Sequence, residues 1–466
     1  MPSPAVSRRL FLGTAAGGLA SGALDFSAAA EHSENLFPEQ ARDLPLKNDA
    51  DVIVCGAGPA GVTAAIAAAR NGSRVRLFEA HGCLGGVWTS GLLGYLLDFN
   101  KPGFNQELVS ALRERDAIRG DGPNGISYEP EEMKLILEEL CQTAGVQVQI
   151  HTRVAAAYRQ GNRLRTIITE SKSGREAWQA PIFIDTTGDG DLGALVGCEF
   201  EIGESHNCPC QPMSMDALLV VKDVNKLGPF IHGVGTLAVH QGKSPKIAFL
   251  EEIRRTGHEP SYGLPTLFPI RDNLVLAMMN HEYGIKPFDA VEVTTATMRA
   301  RAELHKIVRG LRKLEGPWEG IQIAATPEQI GIRDGRRIRG RYTVRQEDLV
   351  HGARHDDAVV RATFGVDVHA LKMADSPYSN RGVKTQPYDI PFRALIARDV
   401  DALLMAGRCI SGDFIAHASY RVTGNAVAMG EAAGSVAAIC ARSNQLPQEI
   451  RWTDAQSAIT IARKQF

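Results

Sequence analysis

Aromatic residues are scarce in this chain, 6% of 466 positions, and its eight cysteines include no C-x-x-C pair. The missing C-x-x-C removes the ligand sets of a zinc ribbon and of a ferredoxin-type iron–sulfur cluster. Charge of one sign is also lacking: 51 basic against 53 acidic side chains give a net charge of −2. A balance of that kind argues against partners found through a strong field, such as nucleic acid or an anionic membrane. After residue 30 there is no window of 18 or more uncharged apolar residues, so no internal transmembrane span is expected. What is present is glycine, 46 residues, in a chain that is 44% hydrophobic. Scarce aromatics with abundant glycine suit an α/β protein with close backbone approaches rather than a lectin-like sandwich.

The length is about three times the ~150 residues of a typical domain, so more than one domain is expected. The first 30 residues read as an address. Arg8 and Arg9 precede a mildly apolar stretch from Leu10 to Leu24, and Ala28 and Ala30 form an A-x-A site before Glu31. The string Ser7-Arg8-Arg9-Leu10-Phe11-Leu12 resembles the twin-arginine export signal of bacteria, so the export machinery is an expected partner and the mature protein is expected to be periplasmic or extracellular. Residues 31–49, with Pro38 and Pro45, read as a linker. For an exported chain of this size the cysteine spacing is poor for a disulfide framework, and buried free thiols are expected; Cys208 and Cys210 are separated by Pro209 alone.

From Asp51 the chain reads DVIVCGAGPAGVTAAIAAARNGSRVRLFEAHG. An apolar strand, a G-x-G-x-x-G turn at Gly56, Gly58 and Gly61, an Ala-rich helix from Val62 to Arg70 and a second strand ending at Glu79 follow in order. Gly56 permits the tight turn, Gly58 lets backbone approach a pyrophosphate, and Gly61 allows close helix packing. The helix N-terminus offers free N–H groups to the phosphates, and Glu79 is placed to accept from ribose hydroxyls. The fingerprint alone does not separate NAD from FAD. Gly85 and Gly86, followed by Thr89, Ser90 and Gly91, form a bare loop suited to passage of a flavin and its ribityl chain. Val146 to Ile150 reads as a strand and Val154 follows; Tyr158 to Trp178 reads as short strands with turns at Gly161-Asn162 and Ser173-Gly174. An apolar strand then runs into Asp185-Thr186-Thr187-Gly188-Asp189, suiting a chain that crosses beneath a dinucleotide. Asp189 and Asp191 lack the further oxygen ligands of a calcium loop, so no metal is expected.

Near the C-terminus, Leu403 to Ala406 reads as a strand ended by Gly407 and Arg408, and a helix with a nearly bare face starts near Gly424 and Asn425. Such a helix can approach the sheet and aim its first N–H groups at a negative atom, here a flavin oxygen whose charge grows on reduction. An NAD enzyme has no use for this second element, which favours FAD.

With these strings in view, the chain resembles bacterial FAD-dependent oxidoreductases of the FAD_oxidored type, which share a flavin domain with heterodisulfide reductase A-like flavoproteins and, more distantly, fumarate reductase flavoproteins. The resemblance covers roughly Asp51 to Arg442 and rests on VIVCGAGPAG with Glu79, LGGVWTSG, FIDTTGDGDLGALVG, GIRDGRRIRGRY, Asp367 to His369, YDIPFRAL and LLMAGRCIS followed by YRVTGNAVAMGEAAG. It implies a glutathione-reductase-type, three-layer Rossmann-like α/β domain with an inserted mixed α+β substrate domain. The expected division is 50–200 with 385–445 for FAD, 201–384 for the substrate domain and 446–466 as a tail. The candidate cofactor residues are Gly56, Gly58, Pro59, Ala60, Gly61, Glu79, Ala80, Gly85, Gly86, Thr89, Val154, Thr187, Gly188, Asp189, Gly407, Arg408, Gly424 and Asn425. Members of the wider group can carry iron–sulfur clusters; this chain lacks the cysteines for one.

A flavin enzyme needs a proton acceptor and a group that binds the substrate's charge. His369 and His417 fall in strings the resemblance picks out and are the candidate acceptors. Six arginines lie between Gly331 and Arg345, with Asp334, Glu347 and Asp348 close enough in sequence to pair with some of them. They read as a solvated basic face, or as an anion clamp through Arg333 and Arg336. Tyr420 and Arg421, just before the flavin helix, are candidates to face the reactive side of the ring. The expectation is an exported FAD-dependent oxidoreductase passing a hydride between a small polar substrate and flavin N5, with an unidentified electron acceptor. Reduction of an unsaturated carboxylic acid, and a flavin-bearing electron-transfer subunit without its own substrate, are the alternatives.

Overall fold

A computed structural model describes residue 37 and residues 39–463, apart from 123–124, 206–208, 233–241, 374 and 376. The twin-arginine segment and Cys208 lie outside the described residues. The chain divides into Met1–Asp43 and a compact unit Leu44–Phe466. Within the first, Arg42 pairs with Glu39 at 3.0 Å.

In the second unit, Val52–Cys55 (β1) is fully buried, as a strand covered on both faces requires. A glycine turn leads to Pro59–Arg70 (α1), then to Val75–Phe78 (β2) and, after further helices, Gln147–Gln149 (β3). An antiparallel meander follows, Arg153–Gln160, Arg163–Ser171 and Gly174–Gln179, with Gly161 at φ +60° and Gly174 at φ +91° where the chain reverses. Leu46–Lys47, in the stretch read as linker, pairs in parallel with Ala177 and Trp178 on its edge. Ile182–Asp185 (β4) re-enters the first sheet. The chain then leaves for a second sheet made of Asp216–Val220 (β5), Thr266–Arg271 (β6), Leu274–Met278 (β7) and Gln322–Ala325 (β8), with the helix Ala290–Arg312 (α2) between the last two. It returns as Leu403–Met405 (β9), followed by Phe414–Tyr420 (α3) and Thr423–Ser443 (α4).

The first sheet is parallel, ordered β9-β4-β1-β2-β3, and the second antiparallel, ordered β6-β7-β5-β8. This is an α/β flavoenzyme fold with an antiparallel inserted domain. α2 buries Ala296, Ala300, Leu304, Ile307, Val308 and Leu311 on that second sheet, an i, i+3, i+4 stripe. Leu92 and Tyr95, from the segment after β2 that enters the strand Tyr95–Leu97, pack with Phe268, Ile270 and Leu276 and join the two halves.

The bare face of α4, expected against the sheet, rests chiefly on α1. A Cβ on Gly430 would stand 2.1 Å from the Ala60 carbonyl oxygen, and one on Gly434 2.0 Å from that of Ala64. The helices meet backbone to backbone, an approach that side chains at these positions would prevent. The arginine-rich segment is mostly loop, with Arg337–Ile338 pairing Phe200–Glu201, so strand alternation does not sort its side chains. The 446–466 stretch, read as a tail, contains a helix Trp452–Arg463 whose Arg463 Nε bonds buried Glu431 on α4 at 2.8 Å. Cys55, Cys83, Cys141, Cys198, Cys409 and Cys440 are free thiols, while Cys210 is disulfide-bonded, a correction to the all-thiol expectation.

Candidate active site

The first part of the site is a cradle at the carboxyl ends of the parallel strands. Gly56, at φ +96°, passes so close to β4 that a Cβ would meet the Thr186 carbonyl at 2.6 Å. Gly61 closes the turn on itself, its Cβ position lying 1.8 Å from the Gly56 oxygen. Gly58 differs: a Cβ there meets nothing within 4 Å, so the glycine leaves open space instead of relieving a protein contact. α1 starts at Pro59 with Gly58 at the N-cap and no side-chain cap, so its first amides stay available. Glu79 is buried and accepts from the Ala57 and His81 amides at 2.6 and 2.9 Å, one bond per oxygen, leaving lone pairs for a diol. Gly85 and Gly86, at φ +105° and +52°, fold back until Gly86 nearly touches Gly58, and the Thr89 hydroxyl pins that turn by donating to the Leu84 carbonyl at 2.5 Å.

Beneath this turn, Asp185 is wholly buried and accepts from the Thr187 amide and hydroxyl and from the Gly193 amide. Burial raises its pKa. Thr187 in turn accepts from the Asp191 amide, so its side chain is engaged in holding the loop. Arg408 reaches over Gly188 to Asp189 at 3.0 Å and also donates to the Ile332 carbonyl; burial lifts Asp189 to about 6. Arg336 bonds the Asp189 carbonyl and the Asp191 carboxylate at 3.1 and 2.9 Å. It therefore braces the cofactor turn and stands apart from Arg333. Ala80 is exposed, and Val154 lies in the meander opposite Thr169.

α4 begins at Thr423 with Val422 as an N-cap that supplies no side-chain bond. Gly424 is pressed on the Asp98 carbonyl, and Asn425, 0% exposed, has both amide side-chain atoms buried without a partner. An amide orphaned in this way costs about 1–3 kcal/mol for each group unless a ligand satisfies it. The open space at Gly58, the two uncapped helix N-termini and the orphaned Asn425 fit one extended dinucleotide running from α1 to α4.

A cluster of polar side chains lies next to that second helix start. Asp367 accepts from Arg421 Nη2 at 3.2 Å and faces His369 Nε2 at 3.2 Å. His369 Nδ1 lies 3.2 Å from His281 Nε2, and His281 Nδ1 lies 3.2 Å from the Tyr283 hydroxyl, which donates to the Ser261 carbonyl at 2.9 Å. Tyr262 lies over His281 at 4.1 Å. Burial, reinforced by Arg333, lowers His369 to about 4 and His281 well below its usual value, so both are neutral at neutral pH. Burial opposes ionisation of Asp367, but His369, Arg421 and Arg333 outweigh it and hold the carboxyl well below its usual range. A carboxylate at Asp367 fixes the His369 proton on Nε2 and leaves Nδ1 to share a proton with His281 Nε2.

His417 and Tyr420 sit on the first helix of this region, α3, and are fully buried. Tyr420 donates to the Ile410 carbonyl at 3.1 Å and lies against Gly412, a packed position. Both ring nitrogens of His417 lack a partner among the described residues; burial and then Arg337 keep it neutral. The structure thus brings Arg333, His369 and Arg421 into one electrostatic neighbourhood and puts Arg336 elsewhere. Sequence reading missed His281, Tyr262, Tyr283, Asp216 and Gln211, which carry no local motif. Among the described residues no group of three or more His, Cys, Asp or Glu is placed to hold a metal.

A parallel sheet with this glycine turn, an acid at the end of β2 and a second helix start at an orphaned amide define a flavin-dependent oxidoreductase that uses FAD. Residues 51–459 match the family of FAD dependent oxidoreductases, and the chain belongs to it. A curated relative, thiamine thiazole synthase from Thermotoga maritima, is 33% identical over 97 residues, which is 21% of this chain and 33% of the relative; the chain thus spans a third of that protein. Similar solved structures include a geranylgeranyl bacteriochlorophyll reductase-like protein from Thermoplasma acidophilum, 13% identical with TM-score 0.46, covering 90% of this chain and 84% of that one. Others are the flavin-dependent brominase Bmp2, 13% identical with TM-score 0.47 over 89% and 83% of the two chains, and p-nitrophenol 4-monooxygenase from Pseudomonas putida, 10% identical with TM-score 0.44 over 90% and 85%.

Proposed function

We propose that this FAD-dependent oxidoreductase oxidises a small polar substrate directly and acts outside the cytoplasm. The observation that carries the reading is the Asp367 carboxylate, which joins His369 to Arg421 two residues before α4 begins. When bound, the flavin supplies the hydride acceptor. The chain supplies the rest. The His369–His281 pair takes the proton released as a substrate hydroxyl becomes a carbonyl, with Asp367 stabilising the imidazolium that forms. Tyr262 and His281 hold the His369 ring in place. Arg421 keeps Asp367 ionised, and the paired backbone of the Gly85–Thr89 turn closes the cofactor side. The test is anaerobic addition of sugars, alcohols, amines and hydroxy acids to the purified yellow protein, followed near ~450 nm where oxidised flavins absorb. Bleaching by one class supports the reading. Bleaching by none, with reduction by a partner protein alone, overturns it. Export rests on the Ser7–Leu12 string, and retention of an R8K/R9K double variant in the cytoplasm tests it.

A further inference from the structure

Arg333 is a half-buried guanidinium without a counter-ion. It donates through Nη1 to the Pro212 carbonyl at 2.9 Å and the Ser214 hydroxyl at 2.8 Å, and its Nη2 has the Met278 sulfur at 3.8 Å. Among the described residues no carboxylate comes within 4.0 Å of it. Two acids share its field. Asp367 is already taken by His369 and Arg421. Asp216, at the start of β5, keeps Oδ1 unpartnered and is pushed by burial to about 7, which makes it a weak counter-charge. A half-buried cation left in this condition gains from a ligand that brings the missing charge.

The hydrogen-bond inventory points the same way. Gln211, 2% exposed, accepts from the His369 amide through Oε1 and has Nε2 buried with no acceptor. Arg421 Nε is also buried and unpartnered. A third cation, Lys246, is half-buried, feels Asp367 and has no ion pair among the described residues. Around His369 the protein therefore presents donors in excess of acceptors, and cations in excess of anions. Gln211 and Arg333 flank the inserted sheet, whereas Asn425, the orphan assigned to the flavin, lies on α4.

We infer that the substrate of this site is a hydroxy acid, its carboxylate held by Arg333 and the Gln211 amide and its hydroxyl directed to His369. This rests on the reading of the site as one that oxidises a small substrate. In the step, the substrate C–H bond breaks with its electron pair passing to the flavin, the O–H proton goes to the His369–His281 pair, and a keto acid leaves.

The experiment uses the holoenzyme under anaerobic conditions with matched probes: glycolate and lactate against glycolamide and lactamide. Binding is read from perturbation of the flavin spectrum, and turnover from its bleaching. The acids are expected to bind at least tenfold more tightly than the amides, and R333Q, still yellow, brings that ratio to within about twofold. R333K, which keeps the charge but loses the fork, retains part of it. If R333Q loses flavin, K246Q serves in its place, with an expected two- to fivefold narrowing. Equal binding of acids and amides by the parent protein overturns the inference, as does an unchanged ratio in R333Q. Bleaching by the amides as readily as by the acids sinks the carboxylate site and leaves substrate oxidation standing. Preference for the acids with no bleaching by any compound of the wider panel does the reverse.

Discussion

Two glycine-to-alanine substitutions separate the glycines that pack the fold from the glycine that faces the cofactor. In G430A the new methyl stands 2.1 Å from the Ala60 oxygen, against ordinary contact from about 3.4 Å, so α1 and α4 must part by about 1.3 Å. Both partners in the clash are helix backbone and neither can rotate away. Alanine gains about 1 kcal/mol over glycine in a helix interior, whereas overpacking costs about 1–3 kcal/mol, at the upper end when backbone must shift. The expected balance is a loss of about 2 kcal/mol. In G58A, at φ −68°, the methyl meets nothing and the backbone is unstrained. Stability without cofactor should stay within about 1 kcal/mol of the parent, the scale of an N-cap change from glycine to alanine. FAD affinity should fall at least tenfold. Chemical denaturation of the apoprotein and FAD titration check the two together. A stabilised G430A would refute backbone contact between the helices, and undiminished FAD affinity in G58A would refute the cradle.

Other outcomes follow from the same geometry. H369Q should slow substrate-driven bleaching at least 100-fold, within the usual span of a lost general base, with FAD content unchanged; a smaller effect removes His369 from the proton path. Asp216 is raised from 3.8 to about 7 in the folded chain, so the fold holds a proton that the unfolded chain releases, and stability falls as pH rises between those values. D216N should therefore gain on the parent by about 3 kcal/mol between pH 5 and pH 8, read by urea unfolding; a constant gap contradicts the assignment. E79Q should weaken FAD binding several-fold and leave the bleaching rate of the loaded enzyme unaltered, since Glu79 lies in the α1 half of the site; a slowed rate at full loading counts against that placement.

The cofactor half of the site was legible because its determinants are local. Strand, glycine turn, helix and acid follow one another within 30 residues, and each glycine states a steric requirement that sequence alone can express. Where contacts are long-range the reading ran out. His369 meets His281 from 88 positions away, and no periodicity marks the second histidine. Arg336 was grouped with Arg333 by proximity in sequence, yet its guanidinium crosses to an aspartate 145 positions back, while its neighbour turns to the inserted sheet. The glycine-rich helix was recognised, but its partner was not, since a bare face states that something comes close without saying what.

The register of that helix pair sets a length. Gly430 lies over Ala60 and Gly434 over Ala64, so the helices run side by side in the same direction. α1 starts one residue before its contact and α4 seven before its own, which at ~1.5 Å per residue carries the start of α4 about 9 Å beyond that of α1. The two starts form a fixed gauge, and a ligand must be long enough to touch both. What the pair fixes is the span between a phosphate held at one start and a negative ring atom held at the other, set by two packed helices rather than by any single contact.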